Sequence, residues 1–304
     1  MSFEITTNFV QQFRSSLALL AQQKKARLRD TTIVETGIRG QTAWFDQIGS
    51  TAAQRMTQRN GDTPLANTPH RRRRIDLAPY NWADLIDSVD KVRMLTDPTS
   101  TYVMAGNAAM NRAIDDIIIA AFFADASTGA DGTTTVSFPS GNQVAVNSWA
   151  YGSGSGNAGM TISKMIEARA VLLGGEAVDE NDPQQIGELY CAMSAKQISN
   201  LLSTTEVTSR DYAGDMLSLR SGMVPNFMGC KIIRTQRLGT DGSSYRRVPM
   251  WQKQGMYLGI GEDVKVEVTP RADKNYSTQP YYEMLLGAAR VEEARVVEIK
   301  CLES

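Results

Sequence analysis

Four consecutive arginines, Arg71 to Arg74, are the sharpest charge feature of the chain. If this segment is a strand, alternate guanidinium groups face opposite ways. It then offers two rows of guanidinium groups, which suit bidentate pairs with carboxylates on a neighbouring molecule. A nucleic-acid contact and a solvated run of charge are the alternative interpretations.

A second pattern, Gly154–Gly159, fits the glycine spacing of a dinucleotide-binding loop, whose backbone N–H groups hold a pyrophosphate at a helix start. Glu176 and Asp179 follow at about the spacing of a ribose-binding acid. However, serine and glycine alternate from Gly152 onward, as in a flexible linker, and no succession of βαβ units follows. A linker is the favoured interpretation, and an NAD-dependent oxidoreductase is the alternative.

The other residue types give little support to catalysis or metal binding. The single histidine, His70, lies beside the arginines, which disfavour its protonation or a bound cation. The chain has three widely spaced cysteines. Their odd number and wide spacing indicate free thiols in a reducing compartment, and not a disulfide framework or a zinc site. They are Cys191, Cys230 and Cys301. We therefore expect no enzyme activity, no cofactor and no metal.

The composition is that of a soluble globular protein of 304 residues, with 42% hydrophobic and 21% charged residues. The formal net charge of −1 favours neither nucleic acid nor a membrane as a partner. The N-terminus lacks the features of a signal peptide, and the longest apolar run, residues 117–124, is too short to span a bilayer. We expect a protein that is made and kept in a cytoplasm.

The N-terminal half predicts two arms and one long helix. Residues 7–28 have apolar positions at helical spacing and predict a basic helix, suited to docking on a partner or to the surface of the same domain. Residues 40–80 predict a projecting hairpin, whose tip is rich in Gly, Asn and Pro. Asp97-Pro98 predicts a helix start, and this helix can run to about Ala124. Its apolar second half predicts packing on more than one side.

The C-terminal half predicts short helices and several strands, so the fold class is α+β. Thr133–Phe138 and Gln143–Val146 predict a short hairpin. Residues 203–250 are expected to be mostly irregular, apart from one strand at Cys230–Thr235. Helices are predicted at Ile162–Leu173 and near Ala195–Leu202, and further strands at Leu189–Met193, Gly255–Gly261, Val264–Thr269, Tyr281–Arg290 and Arg295–Leu302.

The segment from Arg74 to Phe123 resembles major capsid proteins of tailed double-stranded DNA phages, in particular the podovirus-like members of the Hong Kong 97 fold. The shared pattern is an arginine-rich strand, a tyrosine, an acidic helix, Asp-Pro, and a long helix with an arginine and an aspartate near its middle. About fifty residues match well, and the rest of the chain matches loosely in its layout. The matching residues are Tyr80, Asp90, Arg93, Asp97-Pro98, Tyr102, Arg112 and Asp115-Asp116.

The resemblance implies a Hong Kong 97-type fold with four parts. They are an N-terminal arm at 1–35, an E-loop hairpin at 36–80, a P-domain at 81–158 and 251–304, and an A-domain at 159–250. The P-domain would contain a spine helix at 98–124 and a hairpin rich in Gly, Ser and Thr. Such a subunit self-assembles into pentamers and hexamers of an icosahedral shell, within a virion that is assembled in the bacterial cytoplasm.

The resemblance also implies partners. They are further copies of the chain, a portal protein and packaged double-stranded DNA that is bound without specificity. The sequence leaves open whether a decoration protein is also a partner, and no membrane contact is expected. We expect a separate scaffolding protein, because the arm before the E-loop is too short for a fused scaffolding domain. Some relatives lock their shells by joining an E-loop lysine to a neighbour's asparagine, but no lysine occurs here between Lys25 and Lys91.

In the resembled fold an E-loop lies across the P-domain of a neighbouring subunit. We therefore expect the E-loop arginines to pair with carboxylates of that neighbour. The candidates for this contact are Arg71, Arg72, Arg73, Arg74, Asp84, Asp87, Asp90, Asp115 and Asp116. A nucleic-acid-binding module built on the same arginines is the third interpretation of function.

Overall fold

The structure is a computed structural model that describes residues 20–56, 59, 62–63, 65–87, 99–152, 154–178, 188–204 and 226–303. Within these ranges the chain forms three α-helices and three sheets. The helices are α1 (Thr99–Phe123), α2 (Ile162–Gly174) and α3 (Ala195–Leu202). The strands are β1 (Ile33–Thr36), β2 (Thr42–Ile48), β3 (His70–Asp76), β4 (Ala78–Ala83), β5 (Ala126–Thr128), β6 (Thr134–Val136), β7 (Gln143–Val144), β8 (Leu189–Met193), β9 (Asn226–Phe227), β10 (Cys230–Arg234), β11 (Arg246–Gln252), β12 (Met256–Arg271), β13 (Ser277–Arg290) and β14 (Val296–Cys301).

Helix α1 confirms the long helix predicted at 98–124. Its 25 residues extend for roughly 37 Å at 1.5 Å per residue. It packs against β13 and β4, and its apolar positions at three- and four-residue spacing face the core. Its buried core residues include Met110, Ile114, Ile118, Ala121 and Phe122.

A four-stranded sheet in the order β1-β12-β13-β4 lies beside this helix. The two strands predicted at Gly255–Gly261 and Val264–Thr269 form one strand, β12, which pairs with β13 along its length. Register shifts between Ile260 and Lys265 explain why the pattern looked like two strands, since such irregularities interrupt the two-residue periodicity. Beyond Ile260, β12 forms the outer edge of the sheet, because β1 pairs only with its first part.

The second sheet has six strands in the order β7-β14-β11-β8-β10-β9. Helix α2 packs against β14 and β7, and α3 contacts β8. The predicted helices at 162–173 and 195–202 and the strands β8 and β10 are confirmed. Thr161 caps α2, and Ser194 and Gln197 form a capping box at the start of α3, so local side chains fix where both helices begin.

The expectation that residues 203–250 are mostly irregular falls partly on residues 205–225, which lie outside the described residues, and strand β11 was not predicted in the remainder. Its last five residues, 248–252, are all buried, so it lacks the alternation that marks a half-exposed strand. A proline such as Pro249 is also disfavoured inside a strand, because it has no N–H group to donate. In the structure Pro249 pairs with Glu298 of β14 and lies outside the part of β11 that pairs with β8, so its missing N–H is tolerated.

The third sheet, in the order β2-β3-β5-β6, contains the predicted hairpin. β2 and β3 pair in antiparallel register from Thr42 with Asp76 to Ile48 with His70, which confirms a hairpin at 40–80. The short hairpin predicted between residues 133 and 146 is wrong. β6 pairs with the preceding strand β5, and β7 pairs in parallel with β14 of another sheet, since two-residue strands follow their tertiary partners more than their own sequence.

The predicted N-terminal helix is not helical in its described part. Residues 7–19 lie outside the described residues, and residues 20–28 form an irregular segment along α1. Asn111 and Arg112 of α1 donate hydrogen bonds to this segment, and Asp115 accepts from its backbone. These tertiary contacts replace the hydrogen bonds of a helix.

The predicted domain bounds remain a prediction. Residues 251–303 contribute to two of the three sheets, because β12 and β13 lie in the sheet β1-β12-β13-β4 and β14 lies in the six-stranded sheet. None of the helices in the described ranges has the length and apolar character needed to cross a membrane.

The packing of α1 against β4 and β13 generates a prediction at Gly106 of α1. A Cβ atom at Gly106 would lie 2.6 Å from the rings of Trp82 and of Tyr282. The two rings pack edge to face at 5.8 Å, and the Tyr282 hydroxyl donates to the Val103 carbonyl, so neither ring moves freely. Gly106→Ala should therefore destabilise the fold by about 1–3 kcal/mol, although alanine favours a helix.

The measurement is denaturant unfolding of the dispersed subunit. Gly174→Ala is the matched control, because Gly174 is also helical and a Cβ there meets nothing within 4 Å. The control should be neutral or slightly stabilising. Equal behaviour of the two variants would contradict the packing described for Gly106.

Candidate functional site

The arginine strand β3 presents its four guanidinium groups in different surroundings. Arg71 and Arg72 are exposed, Arg73 is buried and Arg74 is half-buried. The cross-strand register sets Trp44 opposite Arg74 and Asp46 opposite Arg72. The strand predicted from sequence is confirmed, and three of its arginines pair with carboxylates of their own chain. The expected contact with a neighbouring subunit remains a prediction.

Arg73 is paired inside its own chain. Its Nη2 donates to both carboxylate oxygens of Glu293, at 2.5 and 2.7 Å, and its Nε donates to the Val291 carbonyl at 3.0 Å. The Arg73 side chain is only 4% exposed and that of Glu293 is 18% exposed. This contact fixes the base of the hairpin to the segment that follows β13.

Arg290, at the end of β13, joins the same cluster. Its side chain is fully buried, and its Nε lies 3.7 Å from Glu293 Oε1. Its Nη1 donates to the carbonyls of Phe122 and Ala124, which are unsatisfied groups at the C-terminal end of α1. Burial lowers the pKa of the Arg290 guanidinium, and the Glu293 carboxylate opposes this effect. One carboxylate therefore pairs with two buried arginines, and the C-terminal end of helix α1 supplies further acceptors.

Arg72 and Arg74 pair within the hairpin. Arg72 Nε donates to Asp46 at 2.6 Å, and its guanidinium lies 5.3 Å from the centre of the Trp44 ring. The hydrogen bond from Arg72 holds the pKa of Asp46 below its usual value. Arg74 contacts Asp76 at 2.9 Å. Both pairs are largely exposed, so they contribute little to stability.

Asp115 and Asp116 have different interaction partners, as expected for neighbours on a helix, whose side chains point to different faces. Asp115 is buried and accepts hydrogen bonds from the backbone N–H groups of Arg27 and Leu28, each at 3.0 Å. Burial raises the pKa of the Asp115 carboxyl, and these hydrogen bonds oppose the shift. Asp116 forms a bidentate ion pair with Arg237. Within the chain, neither aspartate pairs with a β3 arginine.

The remaining acidic candidates lie after β4. Asp84 and Asp87 are exposed, and the Asp84 carboxylate accepts a hydrogen bond from the Leu85 N–H at 2.8 Å. Asp90 lies outside the described residues. The contact of these residues with arginines of another subunit remains a prediction.

Sequence reasoning missed three partners of this site, Asp46, Glu293 and Arg290. Asp46 could have been found, because the hairpin register places it directly opposite Arg72. Glu293 is 220 residues away from Arg73, and no local pattern connects them.

The glycine-rich loop at Gly154–Gly159 is closed by its own chain. The buried ammonium group of Lys164 donates to the carbonyls of Ala158, Gly159 and Lys300. The Trp149 indole N–H donates to the Gly156 carbonyl at 3.0 Å. A dinucleotide loop uses backbone N–H groups, whereas this loop turns carbonyl oxygens toward a buried lysine. Among the residues that the structure describes, no group of three metal-ligating side chains lies together.

A family model described as "Phage capsid protein" matches residues 5–303. The chain belongs to the phage capsid protein family. No curated protein sequence matches this capsid protein significantly.

Solved structures of phage capsids share its fold. A chain of Mycobacterium phage Che8 is 18% identical, with 96% of this chain and 97% of that chain covered and a TM-score of 0.67. The capsid of cyanophage P-SCSP1u is 17% identical, with 98% and 94% covered and a TM-score of 0.70. The acidic stable capsid of Helicobacter pylori bacteriophage KHP30 is 10% identical, with 99% and 97% covered and a TM-score of 0.71.

These findings confirm the capsid interpretation and the α+β Hong Kong 97-type fold. The protein is a major capsid protein that builds a phage shell. The comparisons give no support to an oxidoreductase or to a separate nucleic-acid-binding module.

The buried cluster generates a prediction for this capsid protein. Glu293→Gln removes the only carboxylate paired with Arg73 and Arg290 among the described residues and leaves two buried cations without an ion-pair partner there. The variant should lose about 3–5 kcal/mol of unfolding free energy. Denaturant unfolding of the dispersed subunit measures this loss.

Asp46→Asn is the matched control, because it removes one carboxylate from an exposed arginine pair on the same hairpin. The control should change stability little. If Glu293→Gln were as stable as Asp46→Asn, the cluster would not fix the hairpin.

Proposed function

We propose that copies of this chain form pentamers and hexamers of an icosahedral shell that encloses double-stranded DNA. The family match over residues 5–303 carries the proposal. The structures with the same fold include capsid particles of native and empty GTA computed with C5 symmetry and the asymmetric unit of cyanophage Pam1. Assembly would take place in the host cytoplasm.

The division into arm, E-loop, P-domain and A-domain is part of this proposal. The β2–β3 hairpin lies in the proposed E-loop, 36–80, and α1 lies in the proposed P-domain, 81–158 and 251–304. Helices α2 and α3 lie in the proposed A-domain, 159–250. Residues 1–35 form the proposed arm, of which residues 20–28 lie along α1.

The hairpin supports a contact between subunits, because it leaves large apolar side chains in solvent. Ile48 is 71% exposed, Met56 is 82% exposed and Leu65 is 92% exposed. Large apolar side chains left this exposed on a basic hairpin suit a protein interface. We propose that a neighbouring subunit covers these residues in the shell.

Charge pairing between subunits would accompany this contact. The expected set combined Arg71 to Arg74 with five aspartates. Because Arg72, Arg73 and Arg74 have partners in their own chain, Arg71 is the best placed of the four arginines. Asp84 and Asp87 are the best placed aspartates, since they are exposed whereas Asp115 is buried.

Other partners follow from the family and not from particular contacts. They are a scaffolding protein, a portal protein, a decoration protein and the packaged DNA, bound without sequence specificity.

Assembly is the direct test of the proposed function. The purified capsid protein, alone or co-expressed with its scaffolding protein, should form closed shells or ring-shaped capsomers in electron micrographs. A chain that stays monomeric at high concentration in both conditions would contradict the proposal.

Covalent locking generates a separate prediction. The chain has no lysine between Lys25 and Lys91, so the proposed E-loop lacks the amine that some relatives use for a cross-link. Mature shells should therefore dissociate into single-subunit bands in boiling detergent. A ladder of oligomers that survives reductant would show another covalent link.

A further inference from the structure

Strand β12 has one open edge beyond Ile260, within the part of the chain that the structure describes. β1 pairs with β12 only from Tyr257 to Ile260. After Gly37, whose φ is +77°, the chain continues to the β2–β3 hairpin of another sheet. Residues 265–271 of β12 therefore pair with β13 on one side and with no described strand on the other. Such an edge offers unpaired N–H and C=O groups to a further strand.

The hydrogen bonds of β13 show which backbone groups lie at the open edge. Thr278 exchanges both of its backbone hydrogen bonds with Ile86, on the side of β13 away from β12. Pro270 lies opposite Thr278, so its own backbone groups point away from β13, to the open edge. Because backbone groups alternate sides along a strand, Val266 and Val268 point the same way. Pro270 has no N–H group, so the two valines supply the donors.

The residues at this edge form a self-complementary sequence, Val264-Lys265-Val266-Glu267-Val268. Its valines are symmetric about Val266, and its two charged residues are opposite in sign. Val266 and Val268 are 46% and 45% exposed. Lys265 and Glu267 lie on the other face of the sheet, are half-exposed and pair with each other at 3.0 Å. An exposed pair of this kind contributes little to stability, so both groups are free to change partner.

We infer that this edge pairs with the same edge of a second copy of the chain, in antiparallel register about a two-fold axis at Val266. The inference rests on the proposed function, because the two-fold axes of an icosahedral shell bring identical surfaces of two subunits together. In this register the two Val266 residues exchange both backbone hydrogen bonds. Each Lys265 lies opposite Glu267 of the other copy, and each valine lies opposite a valine. Both kinds of cross-strand pair stabilise an antiparallel sheet.

Charge selects this register over its neighbours. An antiparallel pair centred on Glu267 would set two carboxylates directly opposite each other, and a pair centred on Lys265 would do the same with two ammonium groups. A parallel pair in register would also bring like charges side by side. Only the register centred on Val266 joins opposite charges twice.

Cysteine cross-linking in assembled shells tests the register. Two Val266→Cys subunits would bring their Cα atoms to about 5.5 Å, a distance that a disulfide spans. Oxidation by dissolved oxygen with a copper catalyst joins the two thiols, and their hydrogens pass to oxygen. Non-reducing gels should show disulfide-linked dimers, which the dispersed Val266→Cys subunit should not form. The three native cysteines are buried and give little background.

Val268→Cys is the matched control. Val268 is equally exposed on the same edge, but its two copies would be four residue steps apart in this register, or about 14 Å. A disulfide cannot span that distance. The control should therefore remain a single-subunit band in assembled shells.

A mixture of two charge variants tests whether the partner is a second copy. Lys265→Glu and Glu267→Lys each place like charges opposite each other in every pair of identical subunits. Each variant alone should raise the subunit concentration needed for assembly by at least about threefold. An equal mixture should assemble within about twofold of the unchanged chain, because mixed pairs join opposite charges at both positions. The pair within one chain is lost in both variants, so only a contact between copies restores assembly.

The outcomes separate this contact from the function on which it rests. Normal shells in which Val266→Cys forms no dimers, or in which Val268→Cys forms them as readily, overturn the strand pairing alone. An unchanged chain that never assembles overturns the proposed function as well. If mass spectrometry finds the introduced thiol joined to a different residue, another segment occupies the edge and the inference is wrong. If Val266→Cys does not assemble, the charge variants decide, and a mixture no better than its components overturns the pairing.

Discussion

A half-buried glutamate between two buried arginines is the interaction on which the rest of the structure depends. Glu293 contacts Arg73 of the hairpin and lies beside Arg290, which also binds the carbonyls at the end of α1. One carboxylate thus connects the hairpin, the long helix and the four-stranded sheet. Burying such charges costs desolvation energy, so the cluster adds little net stability, but losing one partner is expensive. The cluster mainly fixes the orientation of the hairpin relative to the body of the subunit.

Helix α1 contacts the N-terminal segment at residues 20–28 directly and the β2–β3 hairpin through Arg290 and Glu293. Asp115 binds the backbone of residues 27 and 28 near the middle of the helix, and Arg290 binds its C-terminal end. The hairpin is therefore rigid where it joins the body and exposed at Met56 and Leu65. A rigid base with an exposed apolar end suits a subunit that contacts its neighbours through projecting elements, whereas in an isolated monomer the same residues would remain in contact with water.

Local signals in the sequence predicted much of the fold but few of its contacts. Helix α1 follows Asp97-Pro98, and α2 follows the capping residue Thr161, so both were predictable. β11 was missed because its buried face and Pro249 hide the two-residue pattern. The partner of Arg73 was missed because Glu293 is distant in sequence. A run of arginines predicts that carboxylates lie nearby, but it does not identify which carboxylates they are. Pairing of the exposed Arg71 across subunits remains a prediction.

The central claim is that the hairpin is fixed to its own chain at the base and covered by another chain at its end. A near-atomic electron cryomicroscopy reconstruction of assembled shells tests it most directly. We expect density that joins Arg73 to Glu293 of the same subunit, with Met56 and Leu65 packed against a neighbouring subunit. A hairpin folded back on its own body, or an Arg73 that pairs with a carboxylate of another subunit, would contradict the account.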